Sequence, residues 1–248
     1  DWSVERFYHH WFKSDSHLLG LIEELGWSDQ VMFPKPISVM YYNGKFYPFV
    51  SIPAAIMYPG LGWGINKIRF GLVGLYLRFT TNWKPLEKVT TDAWMRKYAG
   101  NKVFESMWKP MLDGKFGENW ADKVNMAWMW ARLHVRTTRL GTFKGGFQRF
   151  ADKFAQKLIE DGVNIRYSQP VKRISKNEVG GLDLQIGEGE VETFDQVLVT
   201  LSPGLMAKLA PELPSDYLGE LLKLNHMGAV VMTLSLKHPL SPDGYYWY

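Results

Sequence analysis

The chain has 248 residues, of which 46% are hydrophobic and 15% aromatic, and its net charge is +4. This composition is typical of a globular protein and excludes a disordered one. The absence of cysteine excludes disulfides, cysteine-ligated metal clusters and thiol catalysis, and it favours a cytoplasmic location. The positive charge forms no long basic run, so we expect no nucleic-acid partner.

The spacing of apolar residues predicts that the first 140 residues are mainly helical. A first helix is predicted over residues 17–25 and ends before Gly26. Asn43-Gly44, between two strand-like runs, predicts a β-hairpin because both central positions of its turn need positive φ. Further helices are predicted over 53–79 (one or two), from Thr91 to Gly100, from Asn101 to about Leu112, and from Trp120 or Asp122 to about Val135, with Thr91 and Asn101 as N-caps.

The pattern changes near residue 139, where helices begin to alternate with strands. Apolar residues at helical spacing between Phe147 and Leu158 predict an amphipathic helix over 147–160, which ends before Gly162. This half of the chain therefore predicts a mixed fold of the α+β or α/β class. Strands are predicted over 163–174, 181–186, 191–200 and 229–236, and helices over 205–209 and 217–224.

Two stretches carry a resemblance to a known superfamily. The first, from Gly141 to Pro203, runs Gly-Gly, amphipathic helix, Gly, strand with Pro170-Val171, hairpin, apolar strand and loop. The second is WKPMLDGKFG, from Trp108 to Gly117. Both resemble the FAD-dependent superfamily of amine oxidases, protoporphyrinogen oxidases and phytoene desaturases. Those enzymes bind FAD through an N-terminal glycine-rich turn that this chain does not contain, so the resemblance implies an internal piece of a larger enzyme.

The resemblance implies a two-domain flavoprotein. Residues 1–138 and 204–248 would belong to the substrate domain, and residues 139–203 to the FAD-binding domain. The complete enzyme would oxidise an apolar or amine-type substrate by hydride transfer to the flavin. The isolated chain would be inactive and would self-associate, because strands without their neighbours expose pairing edges.

Four residues are candidates for FAD binding by resemblance. Val171 matches the superfamily's valine whose backbone N–H and C=O contact the adenine ring; the alternative is a buried strand residue. Thr200, Ser202 and Pro203 match the strand end and loop near the pyrophosphate or ribityl group, although an apolar strand that ends in a loop is common in other folds.

His9 and His10 are candidates for facing the flavin ring or the substrate, and otherwise they are structural. Adjacent residues of a strand or helix point in different directions, and no third ligand stands out, so we predict no metal site. Trp108 and Lys115 belong to the WKPMLDGKFG run. Lys115 would offer a cation to an acidic substrate or the flavin, or it is an ordinary solvated lysine.

Arg132 and Arg136 lie near the predicted end of a long helix. They would bind a substrate carboxylate or a pyrophosphate through bidentate contacts, or they would complement the negative C-terminal end of the helix. An arginine pair on a pyrophosphate is also the feature of flavin-dependent nucleotide-sugar mutases, which share this architecture. That interpretation stays open as an alternative.

The most apolar region, residues 54–79, is interrupted by charged residues and glycines, so it predicts no membrane-spanning helix. Its aromatic and basic residues predict either a peripheral membrane contact or a pair of buried helices. A third functional interpretation is therefore a non-catalytic binding or membrane-surface module.

Overall fold

The computed structural model describes residues 6–7, 9–49, 51–135, 137–224, 228–240 and 246–247. The chain divides into two compact units, one of Asp1–Ala151 with Val231–Tyr248 and the other of Asp152–Val230. The mixture of helices and sheets agrees with the predicted fold class. The assignment of 1–138 and 204–248 to a substrate domain, and of 139–203 to an FAD-binding domain, stays a prediction.

The first unit is mainly helical, and the described part of the second contains a small antiparallel sheet, the larger part of one helix and two further helices. The helices are α1 (Ser16–Glu24), α2 (Ile52–Met57), α3 (Ile65–Phe79), α4 (Thr91–Tyr98), α5 (Asn101–Val103), α6 (Lys109–Phe116), α7 (Glu118–Ala121), α8 (Met126–His134), α9 (Gly146–Glu160), α10 (Pro203–Leu209) and α11 (Ser215–Lys223). The strands are β1 (Val31–Met32), β2 (Ser38–Tyr42), β3 (Lys45–Pro48), β4 (Thr142–Phe143), β5 (Val171–Lys176), β6 (Leu182–Ile186), β7 (Glu190–Phe194) and β8 (Tyr246–Trp247).

Three small sheets organise these strands. β1 pairs antiparallel with β4, and β2 lies between β3 and a parallel β8. β5, β6 and β7 form an antiparallel meander in the second unit. None of the helices in the described part of the chain combines the length and the apolarity that crossing a bilayer requires.

The core of the first unit lies between α3, α4, α8 and the continuous helical segment α5–α6. A π turn, Phe104–Trp108, joins α5 to α6 just before Pro110, which cannot donate a backbone hydrogen bond. Side chains from all these elements meet in one apolar cluster. Its fully buried members include Leu77, Met95, Val103, Phe104, Leu112, Met126 and Met129.

The hairpin prediction is confirmed. Tyr42 pairs with Lys45 across the turn, and Asn43 and Gly44 adopt φ values of 49° and 76°. The predicted helix pair in 53–79 is confirmed as α2 and α3.

The predicted N-caps Thr91 and Asn101 were each one residue late. The hydroxyl of Thr90, not Thr91, accepts a hydrogen bond from the Ala93 amide at 3.2 Å. Thr91 is instead buried, and its hydroxyl donates to the Asn125 carbonyl. Gly100, with φ of 92°, precedes the helix that begins at Asn101.

The long helix predicted up to Val135 is divided into α7 and α8. The division falls where the Asn125 side chain accepts from the Trp128 amide at 2.9 Å and caps α8. α7 has already ended at Ala121, and the extended backbone of Asn125 starts α8 as a separate helix.

Two of the predicted strands were too long, and a third is absent. Residues 163–170 and 195–200 lie outside β5 and β7, and 229–236 forms no strand. A strand requires a hydrogen-bonding neighbour, and the described residues place none beside these segments. Arg166 nevertheless fixes the segment before β5 through a two-pronged ion pair with Glu192 of β7, which lowers the pKa of the Glu192 carboxyl.

The apolar face predicted for residues 147–160 is confirmed in α9. At its N-terminal end, Phe147 and Phe150 pack edge-to-face against Trp11, with ring centroids 4.8 and 5.3 Å apart. Phe143 of β4 contacts both Trp11 and Phe150. This aromatic cluster joins the start of the chain to the entry of α9.

A two-residue bridge supports that cluster. The Trp11 and Gly141 backbones exchange two hydrogen bonds, of 2.9 and 2.6 Å. A Cβ atom on Gly141 would lie 2.7 Å from the Phe33 ring and 3.0 Å from the Trp11 carbonyl oxygen. Since one of these neighbours is backbone, a larger residue at 141 would force the bridge apart.

Gly141→Ala should therefore lower the free energy of unfolding by about 1–3 kcal/mol, the usual cost of overpacking. Gly20→Ala is the matched control, because Gly20 lies within α1 and no atom comes within 4 Å of the position that its new methyl group would take. That control should be neutral or stabilising by up to about 1 kcal/mol. Urea denaturation followed by tryptophan fluorescence measures both, and equal stabilities for the two variants would contradict the steric argument.

The second unit also generates a prediction about self-association. In the described chain β5 and β7 are both edge strands, and Leu198 and Val230 of the same unit expose 90% and 100% of their surface. Open edges beside exposed apolar residues favour pairing with other chains. Residues 1–248 produced alone should elute as oligomers or aggregates by light scattering, whereas a stable monomer at micromolar concentration would show the prediction to be wrong.

Candidate functional site

Val171 opens β5 at the free edge of the meander. The Gly187 amide donates to the Pro170 carbonyl at 3.0 Å, while Val171 pairs with Ile186. When the neighbours of a residue pair carry the hydrogen bonds, the pair itself is of the non-hydrogen-bonded type. The N–H and C=O of Val171 therefore point away from β6. They face the edge of β5, where the described residues provide no further strand.

This geometry fits the contact that the resemblance implies for Val171. A free backbone donor and acceptor on one residue match the hydrogen-bonding edge of an adenine ring, and the half-buried valine side chain offers an apolar neighbour. The fit rests on the backbone N–H and C=O and on the side chain of Val171. The assignment of Val171 to the adenine ring stays a prediction.

Thr200, Ser202 and Pro203 lie in the same compact unit as Val171, between β7 and α10. Thr200 and Ser202 are exposed, and Ser202 precedes α10 with its hydroxyl uninvolved in capping. Pro203 is the first residue of α10, where a missing N–H costs nothing. The structure thus leaves the polar groups of Thr200 and Ser202 accessible, and their role in FAD binding stays a prediction.

His9 and His10 lie at the aromatic cluster of the first unit. The His9 ring packs edge-to-face on Phe147 at 5.3 Å, and the His10 ring packs on Phe12 at 4.8 Å. The two rings thus contact different neighbours. Across the residues that the structure describes, no three His, Asp or Glu side chains come close enough to hold a metal ion.

Trp108 is the last residue of the π turn, and its side chain belongs to the apolar core. Only 9% of its surface is exposed, and its ring stacks on Phe70 with a centroid distance of 6.1 Å. Its indole Nε1–H is buried without a hydrogen-bond partner among the described residues. Buried donors are normally satisfied, so this unpaired donor is an exception within the core.

Lys115 and Arg132 lie together beside a pair of aromatic rings. The Arg132 guanidinium lies over the Trp128 ring at 4.9 Å, and Trp128 packs edge-to-face on Phe116 at 4.8 Å. Lys115 is exposed overall, but partial burial of its ammonium group, followed by the nearby Arg132 charge, lowers its pKa. No carboxylate in the described chain pairs with either cation. The pair is therefore suited to an anionic group.

Arg136, predicted as the partner of Arg132, lies outside the described residues. The sequence reasoning instead missed Trp128, on which Arg132 rests. Trp128 and Arg132 are four residues apart on α8, a spacing that places side chains on the same helix face. That spacing could have identified Trp128 as the neighbour of Arg132 from the sequence.

The comparison with known families settles the class of protein. A family model described as flavin containing amine oxidoreductase matches residues 1–244. The chain belongs to this family, as the resemblance implied. The description of the family names an oxidoreductase activity and a flavin for its members.

Two solved structures share the fold of the chain. Cyclohexylamine oxidase from Brevibacterium oxydans is similar with a TM-score of 0.61 and 13% identity, over 88% of this chain and 52% of that protein. An oxidoreductase from Methanosarcina mazei is similar with a TM-score of 0.58 and 15% identity, over 84% of this chain and 50% of that protein. The chain thus spans about half the length of each. A search among curated proteins gives no match.

The Lys115–Arg132 pair generates a prediction about amine reactivity. Because the pKa of Lys115 is lowered, a larger fraction of its side chain is unprotonated than in an ordinary lysine at the same pH. Competitive acetylation near pH 9 should label Lys115 faster than Lys109, whose pKa is raised by its hydrogen bond to Asp113.

Arg132→Gln removes the neighbouring positive charge, so it should raise the pKa of Lys115 and slow its acetylation without changing Lys109. Peptide mass spectrometry reads both sites in one sample. Equal labelling of Lys115 in the two proteins would show that the two cations do not interact.

Proposed function

We propose that this chain is part of an FAD-dependent oxidoreductase that oxidises an apolar or amine-type substrate by hydride transfer to the flavin. The family match over residues 1–244 supports the flavin and the oxidoreductase class. The outward N–H and C=O of Val171, in the helix-Gly-strand unit that the resemblance assigns to the FAD-binding domain, is the observation that carries the choice of FAD.

The flavin would supply the redox chemistry, taking two electrons and a proton as hydride from a C–H bond, which in an amine is the one next to the nitrogen, and later passing electrons to oxygen or another acceptor. The residues of this chain would hold the cofactor and the substrate. Val171 would contact the adenine ring, and Thr200 and Ser202 would contact its phosphate or ribityl region. No side chain of this chain is assigned as an acid or base.

The aromatic character of the first unit supports an apolar substrate class. Trp108, stacked on Phe70, would exclude water and pack against an apolar molecule that reached it. Lys115 and Arg132 would accommodate an acidic group if the substrate carries one.

The same two cations favour a second candidate, a nucleotide-sugar mutase activity that uses flavin without net redox. Lys115 and Arg132 lie together without a described carboxylate partner, as a pyrophosphate site would require. Anaerobic incubation with each substrate class separates the candidates. An amine or apolar substrate should bleach the flavin absorption under the first proposal, whereas isomerisation of a nucleotide sugar without consumption of an acceptor supports the second.

Substitution of Val171 tests the adenine contact. Val171→Pro removes the outward N–H but no hydrogen bond of the sheet, so β5 should survive at its edge position. Val171→Ala keeps the N–H and shortens the side chain. In the protein made from the longest reading frame that contains this sequence, Val171→Pro should weaken FAD binding about tenfold, the value of one hydrogen bond, and Val171→Ala by less.

Fluorescence titration of the flavin-free protein with FAD measures the dissociation constants, and far-UV circular dichroism checks that both variants fold. Equal FAD affinity for Val171→Pro and the unsubstituted protein would refute the backbone contact. A larger loss for Val171→Ala than for Val171→Pro would assign the contact to the side chain instead.

A further inference from the structure

Helix α3 carries two apolar faces, but the described chain covers only one. Val73 and Leu77 are buried in the core, with Phe70 packed beside them. A helix that is apolar on both sides normally has both sides covered. The uncovered residues recur at spacings of three and four, and their exposed fractions are Ile65 63%, Ile68 58%, Leu72 62%, Leu75 45% and Phe79 75%.

The uncovered stripe continues onto the neighbouring elements. Ile56 of α2 lines a shallow groove with Ile68, Leu72 and Leu75. Met57 and Trp63, in α2 and in the turn before α3, expose 72% and 87% of their surface. We call this surface the α2–α3 face; it consists of Ile56, Met57, Trp63, Ile65, Ile68, Leu72, Leu75 and Phe79. Contiguous apolar surface of this kind marks an interaction site.

The chain segment that carries the α2–α3 face is basic. Between Asp29 and Glu87 the chain has six basic residues and no acidic one. Lys67 lines the groove itself, and its ammonium lies 4.7 Å from the centre of the Trp63 ring. An amphipathic tryptophan beside a lysine, at the border of an aliphatic stripe, is the pattern of helices that lie in a membrane interface.

We propose that the α2–α3 face docks on the surface of an anionic lipid bilayer, with α3 lying in the plane of the interface. The aliphatic stripe and Trp63 enter the boundary between headgroups and acyl chains, and Lys67 meets lipid phosphates. A second copy of the chain suits this face less well, because a symmetric contact would bring the two Lys67 side chains together, and no acidic residue of the described chain lines the groove. The proposal is independent of the reaction that the enzyme catalyses.

Vesicle flotation tests the proposal with the protein made from the longest reading frame that contains this sequence. The probes are vesicles of phosphatidylcholine alone and of phosphatidylcholine mixed with phosphatidylglycerol. The protein should float with the mixed vesicles and bind them at least about tenfold more tightly than the neutral ones. Raising the salt concentration should weaken this preference.

Two variants and a control locate the contact. The double variant Ile68→Ser/Leu72→Ser removes apolar surface from the stripe, and Lys67→Glu reverses the charge in the groove. Each should lower the affinity for mixed vesicles about tenfold or more. Tyr167→Ser/Val179→Ser is the matched control, since it removes two side chains that are 74% and 91% exposed elsewhere. It should leave vesicle binding unchanged.

Flavin content and thermal stability should be the same in all these proteins, because every substituted side chain is partly or fully exposed. Three results would overturn the proposal. The first is no flotation with either vesicle type, which would indicate that another part of the protein covers the face. The second is equal loss in the control. The third is a concentration-dependent dimer that Ile68→Ser/Leu72→Ser abolishes, which would identify a second copy as the occupant.

Discussion

The backbone bridge between Trp11 and Gly141 holds the first unit together across 130 positions of sequence. It aligns β1 with β4 and places Trp11 against the first turn of α9. Its geometry depends on a residue without a side chain, because Phe33 and the Trp11 backbone occupy the space where a Cβ would lie. The position at which α9 starts is therefore set by long-range packing around a glycine.

Features that depend on local chemistry could be predicted from the sequence, and features that depend on distant partners could not. The Asn43-Gly44 turn and the apolar face of α9 follow from φ preferences and from spacing within one segment. The segment 229–236 has the composition of a strand but lacks a described neighbour to pair with, and composition alone does not reveal this. The π turn before Pro110 likewise forms within a packed helix, where tertiary contacts offset its poorer hydrogen bonding.

The candidate site also has features that the sequence predicts and features that depend on distant parts of the chain. Val171 was identified from the order of elements around it, and the register of β5 then explains why its backbone groups are free. The proximity of Lys115 to Arg132 arises from the approach of α6 to α8, which no local pattern predicts, although the spacing of Trp128 and Arg132 was visible in the sequence. For α3 the sequence indicated an interfacial or a buried helix, and the structure shows one buried face and one exposed apolar face.

The central claim is that this chain is part of a flavin enzyme, and the visible absorption spectrum of the purified protein tests it most directly. The protein made from the longest reading frame that contains this sequence should show the visible absorption bands of an oxidised flavin, and those bands should elute with the protein on gel filtration. A colourless protein that also fails to bind added FAD would contradict the account.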